Sequence, residues 1–145
     1  MKTLKYNTLK IIFLSTLIMV LSCSLSYSQI SVVVSKSSTQ TLTKDAAKEV
    51  FSGARTTWST GAKILVVDQS ETEIGKKFYD VFLGKSASQV RVQWTKLVLS
   101  GQATAPVKAS SDDDVKSNVA KNPNAVGYIS TKSLDGSVKE LFKIE

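Results

Sequence analysis

The sequence predicts a single α/β domain with flanking helices on a mixed sheet of four to five strands. Three observations carry that reading. The chain has 145 residues, 42% hydrophobic and 21% charged, enough for one modest core and too short for a multidomain enzyme. Short β-branched runs at residues 30–34 and 64–67 alternate with segments of helical spacing. The connections between them are short and marked by Gly, Ser or Asn-Pro.

Residues 1–28 stand apart from this domain as an export signal. Lys2, Lys5 and Lys10 form a basic start, and residues 11–21 form an apolar run too short to remain as a membrane-spanning helix. Ser26 and Ser28 place small residues where a signal peptidase reads, so the mature domain is expected at 29–145, in the periplasm or cell envelope. The one cysteine, Cys23, follows Val20-Leu21-Ser22, which loosely resembles a lipoprotein cleavage box and gives the alternative of a lipid anchor there. Cleavage after Ser28 leaves no cysteine, hence no disulfide and no thiol chemistry.

Charge and composition narrow the function classes. The leader holds three of the 19 Lys and Arg and none of the 12 Asp and Glu, so sixteen bases face twelve acids and the mature charge is +4. These lysines are scattered singly, with no Arg-rich stripe or aromatic interleaving, which argues against nucleic acid. There is no histidine, which removes the commonest general base, metal ligand and pH switch together. No enzyme, cofactor or metal centre is expected.

The elements follow in order. Residues 30–34 read as the first strand. Thr43 caps a short helix carrying Ala46, Ala47, Val50 and Phe51 on one face and ending near Gly53. Residues 64–67 are continuously apolar, the mark of a strand covered on both faces. Ser70 with Glu73 predicts a capping box, followed by a stripe of Ile74, Phe78, Val81 and Phe82 that closes at Gly84. Ser86 with Gln89 repeats the device ahead of Val90, Trp94, Leu97 and Val98, and Gly101 ends that helix. Residues 102–106 read as a loop. Ser111 caps a helix that opens with Asp112, Asp113 and Asp114; successive helical positions diverge by about 100°, so the three acids offset the helix dipole and do not converge on a metal. Asn122-Pro123 stops it, residues 125–129 form a strand, and residues 138–144 alternate as a last strand at an edge.

Four stretches in this order carry a resemblance: "VFSGARTTW" (50–58), "VVDQ" (66–69), "FYDVFLGKSASQVRVQWTKLVLSG" (78–101) and "VAKNPNAVGYIS" (119–130). Together they resemble the phosphate ABC-transporter substrate-binding protein family, and its short single-lobe relatives more closely. The resemblance implies a single periplasmic-binding-protein-like lobe, a phosphate-like inorganic anion as ligand, and an ABC permease or self-association as partner. A lobe alone presents half a cleft and gives a small ligand few of its contacts.

Site residues come from the same comparison. The family pattern places an Arg before Ser-Gly-Thr at the helix start, where hydroxyls, amides and charge hold the oxyanion. Aligned on Phe78, Thr72 falls at the Ser, Glu73 at the Gly and Ile74 at the Thr, while Asp68 or Gln69 takes the Arg position. Gln69, Ser70 and Thr72 are therefore the candidate ligand residues at this junction, with Ser70 and Glu73 also explained as a helix start. Arg55, Thr56 and Thr57 are the second candidates, in a loop expected near the binding edge. Trp58 and Trp94 read as core, and Gly127 as a close backbone approach. The expected function is an exported solute-binding-like domain with a degenerate oxyanion site. The alternative is a ligand-free envelope interaction module on the same lobe.

Overall fold

The computed structural model describes residues 28–145; the predicted leader through residue 27, with Cys23, lies outside them. Its strands are β1 (Ile30–Ser35), β2 (Leu65–Asp68), β3 (Val107–Lys108), β4 (Ala125–Ser130) and β5 (Val138–Ile144). They form one mixed sheet in the order β3-β2-β4-β1-β5. β2 pairs in parallel with β3 and β4, while β1 runs antiparallel to β4 and β5. The last strand lies at an edge, as its alternation predicts. The two-residue β3 begins directly after the expected 102–106 loop and is too short to show a strand period in the sequence.

Helices α1 (Lys44–Ser52), α2 (Glu73–Phe78), α3 (Ala87–Leu99) and α4 (Asp112–Ala120) cover the sheet unequally. Side chains of successive strand residues point to opposite faces, which splits the core in two. Val32, Val34, Val66, Val126 and Tyr128 pack with Phe51, Phe78, Phe82, Val90 and Trp94 of the helices on one side. Val33, Val67, Ala125 and Ile129 pack against Val115 and Val119 of α4 on the other. Gly127 permits that second contact, since a β-carbon there would sit 2.7 Å from Val115 Cγ1. Trp58 and Trp94 are both buried, as expected of core residues.

One stripe departs from its predicted spacing. A π-helical turn, Tyr79–Leu83, continues α2 to the left-handed Gly84. Its wider turn keeps Phe82 over Phe78 but carries the residue three positions on away from the core. Val81 is accordingly 50% exposed, and Tyr79 is buried in its stead.

Candidate functional site

In open α/β sheets, ligands meet the crevice beyond the carboxyl ends of the strands. Here β2 is apolar until Asp68, whose carboxylate closes the strand beside two buried phenols. Asp68 Oδ1 accepts hydrogen bonds from Tyr79 Oη at 2.7 Å and Tyr128 Oη at 2.8 Å. Burial, and then the charge of Asp68, raises the Tyr79 phenol well above its ordinary value; burial, then Tyr79 and Asp68, does the same for Tyr128. Both phenols thus stay protonated donors and fix the carboxylate in place.

Gln69 fills the crevice between β2 and β4. It is fully buried, and its Nε2 donates to the Tyr128 carbonyl at 2.9 Å and to Asp112 Oδ1 at 2.8 Å. Its main-chain N–H donates to Tyr128 Oη at 3.2 Å. Asp112 continues the network by accepting from the Ser130 N–H at 3.2 Å and the Ser133 hydroxyl at 2.6 Å.

The helix start differs from the predicted capping box. Thr72, not Ser70, is the N-cap of α2: its Oγ1 accepts from the Gly75 N–H at 3.1 Å and donates to the Gln69 carbonyl at 2.8 Å. Glu73 turns outward to Lys76, at 2.7 Å, and that hydrogen bond lowers its pKa. The tight turn explains the change of register. Thr72 N–H donates to the Gln69 carbonyl at 2.9 Å, so the chain reverses over 69–72 and the helix begins two residues later than the Ser-x-x-Glu pattern indicates. Gly75 allows the close packing, because a β-carbon there would collide with the Gln69 carbonyl oxygen.

At this junction Ser70 keeps a hydroxyl that makes no hydrogen bond among the described residues. It borders a cavity of about 240 Å³ that also meets Asp68, Tyr79, Trp94, Arg91 and Lys108. Apolar side chains of α3 and the segment before β3, including Val90, Val98 and Pro106, form most of its wall. Asp68 and Lys108 are register partners across β2 and β3. Arg91 and Lys108 both approach Glu71 Oε1, at 3.8 and 3.7 Å, which places two cations at one end of the cavity against one carboxylate.

The structure brings Gln69, Ser70 and Thr72 together and sets Arg55, Thr56 and Thr57 elsewhere. Thr57 bridges to Lys63, and the Thr56 carbonyl accepts from the Ile64 N–H at 2.9 Å, so this loop lies at the amino end of β2, opposite the expected edge. The reason is the short hairpin-like return through the left-handed Gly61, which ties the loop to the strand's entry. Arg55 pairs with Glu49 at 3.0 Å, and the three residues border a separate cavity of about 120 Å³.

Sequence reasoning did not single out Tyr79, Arg91, Lys108 or Asp112. Tyr79 is masked by the π-helical turn, Lys108 by the unread β3, and Arg91 by its place on a polar helix face. Asp112 looked like one of three dipole-offsetting acids, and only the fold turns it toward Gln69.

No family model matches the sequence, and no curated protein matches it. Solved structures do share its fold. An ABC-type phosphate transport receptor from Vibrio cholerae superposes with a TM-score of 0.61 at 24% identity, over 77% of this chain and 44% of that one. A Clostridium perfringens protein described as a phosphate ABC transporter substrate-binding protein with bound phosphate gives a TM-score of 0.58 at 23% identity, over 79% and 45%. PstS from Borrelia burgdorferi gives 0.58 at 16% identity, over 79% and 47%. The fold is therefore that of a lobe of the phosphate-transport substrate-binding proteins, and the chain spans less than half the length of each.

Proposed function

We propose that the protein is an exported, solute-binding-like lobe that does not hold phosphate at the β2–α2 junction. The amino-terminal pattern supports export, and the shared fold supports the solute-binding class. One observation carries the departure from phosphate: the junction is occupied by Asp68, fixed by two phenols, and by the buried amide of Gln69. An anion about 6 Å from Asp68 meets a repulsion of roughly 2–3 kcal/mol per pair of unit charges at an effective dielectric near 20, and a dianion twice that. The Thr72 hydroxyl occupies one of the helix-start amides that such an anion would use.

A thermal melt tests this. With 10 mM phosphate or sulfate, the midpoint should move by less than about one degree at moderate salt. A site of about 0.1 mM affinity would add about 2.7 kcal/mol and several degrees at that concentration, so a phosphate-specific shift of that size overturns the reading.

The alternative, a ligand-free interaction module at the envelope with a permease or a second copy as partner, draws on α3. Val92 and Leu99 are 56% and 83% exposed and lie seven residues apart on one helix face. Sedimentation at micromolar protein that gives a dimer, abolished by Leu99→Lys, would favour this reading; a monomer would count against self-association.

A further inference from the structure

We infer that the cavity between β2, β3 and α3 is a binding site for a small zwitterion with an apolar side chain, such as a free amino acid of leucine or phenylalanine type. The inference rests on the solute-binding reading and names its ligand class. Three features of the cavity select that chemistry, each excluding a simpler ligand.

The first is Asp68. Its Oδ1 is used twice inside the protein, but Oδ2 makes no hydrogen bond among the described residues. A carboxylate clamped by two donors is held in one orientation, and Ser70 adds a hydroxyl to the same cavity wall. A purely apolar occupant would strip water from both groups without replacing its hydrogen bonds. An ammonium supplies three donors and a charge.

The second is the pair Arg91 and Lys108. Both reach toward Glu71 at distances too long for a tight ion pair, so a second carboxylate finds two cations with spare capacity. Parallel neighbouring strands lie about 4.8 Å apart, and Asp68 and Lys108 are partners across them. An ammonium-seeking and a carboxylate-seeking side chain therefore rise from neighbouring strand positions and border the same cavity. A simple anion meets Asp68, and a simple cation meets Arg91 and Lys108; a dipolar head satisfies both.

The third is size and lining. The volume of about 240 Å³ holds about eight waters at liquid density, the space of a solute with roughly eight to twelve heavy atoms, and falls below the range for drug-sized ligands. Trp94, Val90, Val98 and Pro106 offer the body of that solute an apolar wall.

The test follows the two tryptophan indole N–H resonances of the purified protein by NMR while L-leucine is added to 20 mM. Trp94 borders the cavity and Trp58 does not. The expected result is a saturating shift of the Trp94 signal with leucine or phenylalanine. 4-Methylpentanoate, which lacks the ammonium, leucinamide, which lacks the carboxylate, and glycine, which lacks the side chain, should each bind at least tenfold more weakly. Asp68→Asn should abolish the leucine response, and Arg91→Gln, at an exposed position that folding does not need, should weaken it at least fivefold. Equal binding of leucine and 4-methylpentanoate, or full retention in both variants, overturns the zwitterion assignment. Phosphate binding with no leucine response overturns both this inference and the phosphate-excluding reading. No response to any amino acid or inorganic anion overturns it together with the solute-binding reading and leaves the interaction module.

Discussion

Gln69 shows how one buried amide ties the end of a strand to the elements around it. Its side chain satisfies the Tyr128 carbonyl, Asp112 and, through Oε1 at 3.2 Å, the Thr72 hydroxyl. Replacing it by Leu keeps most of the volume but strips the buried Tyr128 carbonyl and the part-buried Asp112 Oδ1 of their amide donor, each loss worth about 1–3 kcal/mol, while the Thr72 hydroxyl keeps its bond to the Gln69 carbonyl. Gln69→Leu should therefore lower unfolding stability by at least about 2 kcal/mol in urea titration, where an ordinary surface Gln would move it by less than about 0.5 kcal/mol. Gly75 gives a second residue-scale check with a sign that propensity alone gets wrong. Ala is favoured over Gly within a helix by about 1 kcal/mol, yet a β-carbon here strikes the Gln69 carbonyl and the Ser70 main chain. Overpacking of that kind costs about 1–3 kcal/mol or more, so Gly75→Ala should be destabilising, read as a lower denaturation midpoint. A neutral or raised midpoint would mean that the 69–72 turn yields freely.

At the scale of elements, the signals that travel with short sequence separations were legible, and those that depend on a neighbour were not. Thr43, Ser86 and Ser111 all cap the helices that their spacing predicts, and Ser86 with Gln89 closes a complete capping box, at 3.2 and 2.9 Å. Ser70 and Glu73 offer the same pattern, but the chain reverses through Gln69 and Thr72 takes the cap. The distinction is measurable. Thr72→Ala and Ser86→Ala should each cost about 1 kcal/mol, within the 0.5–2 kcal/mol range of lost caps, while Ser70→Ala should stay within about 0.5 kcal/mol of the parent. If Ser70→Ala costs as much as Thr72→Ala, the capping box is the working helix start after all. The π-helical turn and β3 escaped for a related reason. Nothing in residues 79–83 forbids an ordinary α-turn, and two residues of strand carry no period to read.

For the whole molecule, the order of strands and helices was legible because hydrophobic runs of period two and of helical period alternate along the chain. The candidate site was legible only at the 69–72 turn, since its remaining parts, Tyr79, Arg91, Lys108 and Asp112, converge from four separate elements. That convergence gives the fold a pH limit. Tyr79 and Tyr128 are buried against Asp68, and both phenols are raised above their ordinary value, by burial first. In the unfolded chain they lose protons near pH 10, while the folded protein keeps them, so the unfolded state binds fewer protons above that pH. The stability they contribute is therefore complete below about pH 10 and is lost as the pH rises further. Each phenol weakens the fold by about 1.4 kcal/mol per pH unit in that window, so moving from pH 9 to pH 11 should lower unfolding stability by about 2.7 kcal/mol. Lys116, raised by its hydrogen bonds to Asp135 and then Asp113, adds a loss of the same sign. Tyr79→Phe separates the two contributions: the variant starts less stable through the lost bond to Asp68, but its further loss between pH 9 and pH 11 should fall by about half. Absorbance at 295 nm gives the direct check, since Tyr79 and Tyr128 should ionise only as the protein unfolds. Phenolate appearing from both while the far-UV signal remains native would mean that Asp68 faces water and not the two phenols.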